Sequence, residues 1–129
     1  MEYKKINIDD LAVLKEIVGT DFVFSDEDKL LEYSSDETED LSYPPEVVLK
    51  PKTTEEISKI ITYCNDKLIS ITPCGARTGL SGGSLPIKGG IALSTERLNS
   101  IIEIDDRNLQ AKVEPGVINQ VFRDAVEEK

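Results

Sequence analysis

Residues 46–72 alternate strand, helix and strand, and the second strand runs straight into glycine. "EVVLK" (46–50) is a short β-branched run suited to a buried strand. "TTEEISKIITYCNDKL" (53–68) opens with a capping box, Thr53-x-x-Glu56, and places apolar residues at 57, 60, 61, 64 and 68, a helical period. "ISIT" (69–72) is a second strand. A strand, a crossover helix and a strand in so short a span predict a βαβ unit with parallel strands. Loops at the carboxyl end of such strands are where ligands collect in open α/β sheets.

At that end stands "PCGARTGLSGGSLPIKGG" (73–90), which contains six of the chain's eight glycines. It carries Arg77 and Lys88 but no carboxylate, and from Lys67 to Thr95 there are three basic residues and no acid. Glycines so spaced permit positive φ and let main-chain N–H groups converge on an anion. Thr78, Ser81 and Ser84 add hydroxyl donors, and Arg77 or Lys88 can add charge. The chemistry suggested is a grip on a phosphate or diphosphate. A plain glycine-rich turn joining two strands satisfies the same spacing. Neither GxxxxGK[ST] nor GxGxxG is present, because the glycines fall at 75, 79, 82 and 83 and lead to Leu85-Pro86 rather than into a helix.

The absence of negative charge in this window stands out because the chain is acidic, with a net charge of −10. Residues 1–43 account for −9 of it and residues 44–129 for −1. An acidic surface of this kind disfavours nucleic acid, which is bound by neutralising phosphates with Lys and Arg. The 129 residues are enough for one core, and no apolar run is long enough to span a bilayer. Cys64 and Cys74 are too few for a disulfide framework, and no export signal follows Met1, so a cytoplasmic location is expected.

The flanks supply further elements. "NIDDLAVLKEIVG" reads as a helix capped by Asn7 or Asp9 and stopped at Gly19. "SDEDKLLEY" reads as a short helix capped by Ser25, and "SSDETEDLSYPP" as an extended polar connection. "GGIALST" returns as a third strand. "NSIIEID" and "LQAKVE" form a hairpin turning at 105–108, and after "PGV" a helix begins at "INQVFRDAVEEK".

Taken in order, "PCGARTGLSGGSLPIKGGIALSTERLNSIIEID" followed by "NLQAKVEPGV" strongly resembles the FAD-linked oxidase family, with its PCMH-type (vanillyl-alcohol-oxidase-type) FAD-binding domain. The branch it is most similar to contains the glycolate oxidase FAD subunit and the D-lactate and D-2-hydroxyglutarate dehydrogenases. The resemblance runs from about residue 30 to the end, and "YSSDET" and "PPEVVLKPKTTEEISKII" belong to it. It implies an α+β fold: an acidic helical segment over 1–43, a first subdomain over about 44–97, and the start of a second over 98–129. The resemblance also implies a cofactor, FAD. Gly75, Ala76, Arg77, Thr78 and Gly79 would wrap its diphosphate, Gly82, Gly83 and Ser84 would continue that wall, and Pro73 and Cys74 would lead into it. Pro115 and Gly116 would approach from the far side of the hairpin. Many members have glycine where this chain has Arg77, so the arginine either adds a phosphate partner or points to solvent.

The same resemblance implies that the cofactor domain continues past Lys129 and that a substrate domain follows. The 129 residues are therefore expected to be an inactive portion of a flavoenzyme oxidising a small D-2-hydroxy acid. A free-standing nucleotide-binding or subunit-interaction module is the alternative. No catalytic or metal-binding residue is assigned within the chain. The acids from Asp36 to Asp40 read as a solvated loop, Cys64 and Cys74 as packing residues, and Glu96 and Arg97 as structural partners at a strand end. Glu114 either positions the cofactor or ends a strand. The 100–114 hairpin would leave an unpaired edge, from which self-association or partial disorder after about residue 100 is expected.

Overall fold

In the computed structural model, which describes residues 2–37, 41–79 and 82–129, four strands form the main sheet in the order β1-β2-β4-β3. The elements in chain order are α1 (Ile8–Val18), β1 (Val23–Phe24), α2 (Glu27–Glu32), β2 (Val47–Leu49), α3 (Thr54–Lys67), β3 (Ile71–Cys74), β4 (Ile91–Ser94), β5 (Ile101–Asp105), β6 (Gln110–Val113) and α4 (Asn119–Glu127). Ser81 and the 38–40 part of the acid run lie outside the described residues.

The expected βαβ unit is present and its strands are parallel, but they are not neighbours. β4 inserts between β2 and β3 and runs parallel to both. Its sequence explains the choice: Ile91, Ala92 and Leu93 are apolar without alternation, as suits a strand covered on both faces, and all of β4 is buried. β3 starts two residues later than expected, so Pro73 and Cys74 are strand residues rather than loop. Pro73, with no N–H to give, sits on a strand at the sheet's edge, where proline is tolerated. β1, a two-residue strand that local pattern did not reveal, pairs antiparallel with β2.

Alternate residues of the sheet feed two apolar layers. Val47, Leu49, Ile91 and Leu93 pack with Leu14 and Val18 of α1 and Ile60 and Cys64 of α3. Val48, Cys74 and Ala92 pack on the opposite face with Tyr33. Ile61 and Leu68 of the predicted apolar stripe are instead about half exposed, because the buried face of α3 narrows to the line through Ile60 and Cys64.

Caps follow the side-chain chemistry. Asn7 accepts from the Asp10 amide, and Asp10 accepts in return from the Asn7 amide. Thr53 caps α3 through the Glu56 amide at 3.1 Å, while the Glu56 carboxylate reaches the Lys52 amide. α2 is capped by Asp26 rather than Ser25: its carboxylate meets the Lys29 amide at 3.1 Å, and the helix begins one residue later.

Gly90 opens β4 at φ 69°, and an added Cβ would stand 2.2 Å from the Ser70 carbonyl oxygen. Only glycine allows that approach. The Glu46 carboxylate then ties this turn to the N-terminal arm, accepting from the Gly90 amide at 2.9 Å and the Ile6 amide at 3.0 Å. The hairpin β5–β6 is a separate antiparallel pair, and every residue of β6 is exposed.

Candidate functional site

The end of β3 and the start of α4 face one another across a cleft of about 620 Å³. Its first wall is the 75–78 arm, which leaves β3 after Cys74. The Thr95 amide fixes the origin of this arm by donating to the Cys74 carbonyl at 3.1 Å. Among the described residues nothing lies within 4 Å of where a Cβ on Gly75 would stand, and its main chain lines the cleft. Arg77 turns the arm at φ 59°. Its guanidinium donates to the main-chain oxygen of Glu32 and, at 3.3 Å, to Glu32 Oε1, and lies 4.2 Å from the centre of the Tyr33 ring.

The second wall comprises Thr95, Glu96 and Asn99 with residues 115–119. Gly116 makes it possible. Its amide donates to Leu98 O at 2.7 Å, and an added Cβ would stand 2.0 Å from Thr95 O and 2.7 Å from Leu98 O. Two stretches of main chain are in direct contact there, which brings the first turn of α4 to the cleft. That turn has no side-chain cap and no acidic residue, so its free amides retain their capacity for an anion. The lack of a Ser, Thr, Asp or Asn before Asn119 was the sequence signal for this feature. Tyr33 forms part of the cleft and is locked by its hydroxyl, 3.2 Å from Ser94 Oγ.

Six of the expected site residues meet here: Gly75, Ala76, Arg77, Thr78, Pro115 and Gly116. Pro73 and Cys74 lie behind them in β3, and Gly79, Gly82, Gly83 and Ser84 are not part of the cleft. That second half of the glycine stretch faces Asp36, Glu37 and Leu41. Gly79 O accepts from the Glu37 amide at 3.2 Å, Ser84 Oγ donates to the Asp36 carboxylate at 3.4 Å, and a Cβ on Gly82 would reach Leu41 at 3.8 Å. A stretch without acids in sequence thus meets a carboxylate in space.

The remaining candidates have structural partners. Cys74 is buried, its thiol 3.5 Å from the Thr72 and Ser84 carbonyl oxygens. Burial pushes that thiol up to about 11, the Arg77 cation offsetting only part of the effect. Glu96 pairs with Lys50, and Arg97 donates to Lys50 O at 2.7 Å while stacking on Phe22. Glu114 accepts from the Ser100 amide at 3.0 Å and so closes the base of the hairpin. Among the described residues there is no cluster of metal-binding side chains, and no helix is long and apolar enough to cross a membrane.

A family model described as FAD binding domain matches residues 45–129. Glycolate oxidase subunit GlcD of Bacillus subtilis is 43% identical over 99 residues, covering 77% of this chain and 21% of its own length. A probable mitochondrial D-2-hydroxyglutarate dehydrogenase of Oryza sativa subsp. indica is 33% identical over 127 residues, 98% of this chain and 23% of that protein. A D-lactate dehydrogenase of Anaerostipes hadrus is 40% identical over 82 residues, 63% and 17% respectively. The chain therefore spans about a fifth of the length of these relatives. Among solved structures, p-cresol methylhydroxylase with substrate bound superposes with a TM-score of 0.82 at 25% identity, over 98% of this chain and 26% of that one. Alkyldihydroxyacetonephosphate synthase superposes with a TM-score of 0.85 over 99% of this chain and 26% of that one; at 14% identity, that likeness speaks for the fold alone.

Proposed function

The chain belongs to the FAD binding domain family, and from that premise we propose that the 75–78 arm and residues 115–119 hold the diphosphate of FAD between them. The observation that carries this reading is a cleft with two walls of main chain. One is open at Gly75, the other ends in the uncapped turn of α4, and Gly116 holds the second wall to the end of β4. These residues suit a diphosphate because its charge is met by N–H groups fixed in place before the ligand arrives. Thr78 adds a hydroxyl at the rim, and Tyr33 an aromatic edge. Pro73, Cys74, Gly79, Gly82, Gly83 and Ser84 then support the arm from behind rather than touching the cofactor.

When bound, FAD supplies the two-electron acceptor for oxidation of a carbon–hydrogen bond. The relatives named for glycolate, D-lactate and D-2-hydroxyglutarate support a small D-2-hydroxy acid as the substrate class of the whole protein. In this scheme residues 44–97 form the first cofactor-binding lobe, residues 98–129 begin the second, and the acidic 1–43 segment buttresses the sheet. The two buried free thiols suit a reducing, cytoplasmic setting. The chain spans about a fifth of the length of these relatives, and a polypeptide without the substrate domain is expected to hold the cofactor without turnover.

The test is a titration of the purified chain with FAD, FMN and AMP. FAD at a hundred times its Kd is expected to raise stability by about 2.7 kcal/mol. Binding of AMP as tight as that of FAD would point instead to a general nucleotide module. Hydroxy-acid-dependent dye reduction by the FAD-loaded chain would overturn the expectation of no turnover.

A further inference from the structure

We propose that Arg77 is a positioning residue: it fixes the 75–78 arm in its receiving shape by fastening it to the end of α2, and leaves the contact with phosphate to the main chain. The inference rests on the reading above, that this arm holds the FAD diphosphate. A φ of 59° is a conformation that long side chains seldom adopt, so something must hold residue 77 there.

The guanidinium does so at several points. One terminal nitrogen donates to the main-chain oxygen of Glu32 and the other to its Oε1, while the plane stacks on Tyr33. Both anchors have further partners. The Glu32 carboxylate also accepts from Lys29 Nζ at 3.0 Å, and Tyr33 is 2% exposed and bonded to Ser94 at the end of β4. The arm, α2 and β4 therefore meet at one cation. Each terminal nitrogen gives one N–H to Glu32, and Nε is buried without a partner among the described residues, so Glu32 and Tyr33 fix where the cation sits. A lysine in its place has one compact ammonium and cannot meet a carbonyl, a carboxylate and a ring face together.

The two possible roles of Arg77 give opposite signs. If Arg77 is a brace, removing the Glu32 carboxylate loosens the arm and weakens FAD binding. If Arg77 is a phosphate ligand held in reserve, the same change frees a cation and tightens it. The experiment measures the FAD Kd by flavin fluorescence for the chain and for Arg77→Lys, Glu32→Ala, the double variant and Gly75→Val. It also follows amide exchange of residues 75–79 in the cofactor-free protein.

Each of Arg77→Lys and Glu32→Ala is expected to raise Kd roughly three- to tenfold, and the double variant little more than either, since both cut one fastening. Exchange at 75–79 is expected to quicken in both while β2 and β4 stay protected. Tighter FAD binding by Glu32→Ala would overturn the proposal, and so would an unchanged Kd in both single variants alongside a weakened Gly75→Val. An unchanged Kd in Gly75→Val would overturn the placement of the diphosphate itself, and the brace with it.

Discussion

Tyr63 of α3 donates its phenolic hydrogen to Asp10 Oδ1 across 2.6 Å, which joins the longest helix to the cap of the first. Lys4 meets the other carboxylate oxygen, and the Asn7 amide donates to it at 3.0 Å. Burial alone would push the Asp10 carboxyl up, but these bonds outweigh it and hold the group at about 2. The folded value lies below the unfolded one. The contribution is therefore present above about pH 4 and lost as pH falls through 2, up to about 2 kcal/mol. At the other limit the hydrogen bond to Asp10, with burial, pushes Tyr63 up to about 12, so its share is present below about pH 10 and lost as pH rises through 12. The two effects share a bond and do not add. Urea unfolding from pH 5 to pH 2 checks the acid limb, which Asp10→Asn should flatten while lowering stability near neutrality.

Gly75 and Gly116 face the same cleft and should respond to substitution in opposite ways. A methyl at Gly75 enters open space, so Gly75→Ala is expected to keep stability within about 0.5 kcal/mol. The bulkier Gly75→Val should lower FAD affinity by obstructing the main chain there. Gly116→Ala drives a carbon into two carbonyl oxygens and is expected to cost several kcal/mol, on the order of 2–4. Thermal melts with and without FAD separate the two. A stable Gly116→Ala protein would show that the second wall is not held as described.

Both thiols should be silent in the folded protein. Cys64 and Cys74 are buried, and burial pushes each up to about 11. A thiol reagent at pH 8 is expected to find almost nothing until denaturant is added, and then two equivalents. Fast native labelling at Cys74 would mean that the start of the arm opens readily.

The hairpin presents Ile102 and Val113, and α4 presents Val121 and Val126, all more than 40% exposed. Leu109, Phe122 and Val126 also help form a groove of about 450 Å³ between the hairpin turn and the end of α4. With β6 open along one edge, concentration-dependent association is expected, and light scattering measures it. Val113→Lys should reduce it. A monomer at all concentrations, with 101–113 protected from exchange, would argue against this.

What could be inferred from sequence followed the range of the forces involved. α3 is specified by its own period and by Thr53, and the hairpin by its turn, where the Asp105 carboxylate accepts from the Arg107 and Asn108 amides; both signals are local. The insertion of β4 between β2 and β3 depends on which strand is covered on both faces, and only the unbroken apolar run at 91–93 hinted at that. β1 is two residues long and exists because β2 offers an edge. The division of the glycine stretch was not legible either. Whether a glycine faces the cleft or Asp36, Glu37 and Leu41 is decided by residues some forty positions away. Tyr33 both fills the second apolar layer and supports Arg77 at the cleft, two roles that no local pattern marks.

The strand that completes the main sheet occupies its middle, although it follows both of its neighbours in the chain. Until residues 75–90 have closed their loop, β2 and β3 have no partner between them, and the loss of chain entropy precedes the gain from pairing. The arm proposed to receive the cofactor opens this connection, so a substitution at Gly75 is expected to alter the rate of folding as well as FAD affinity.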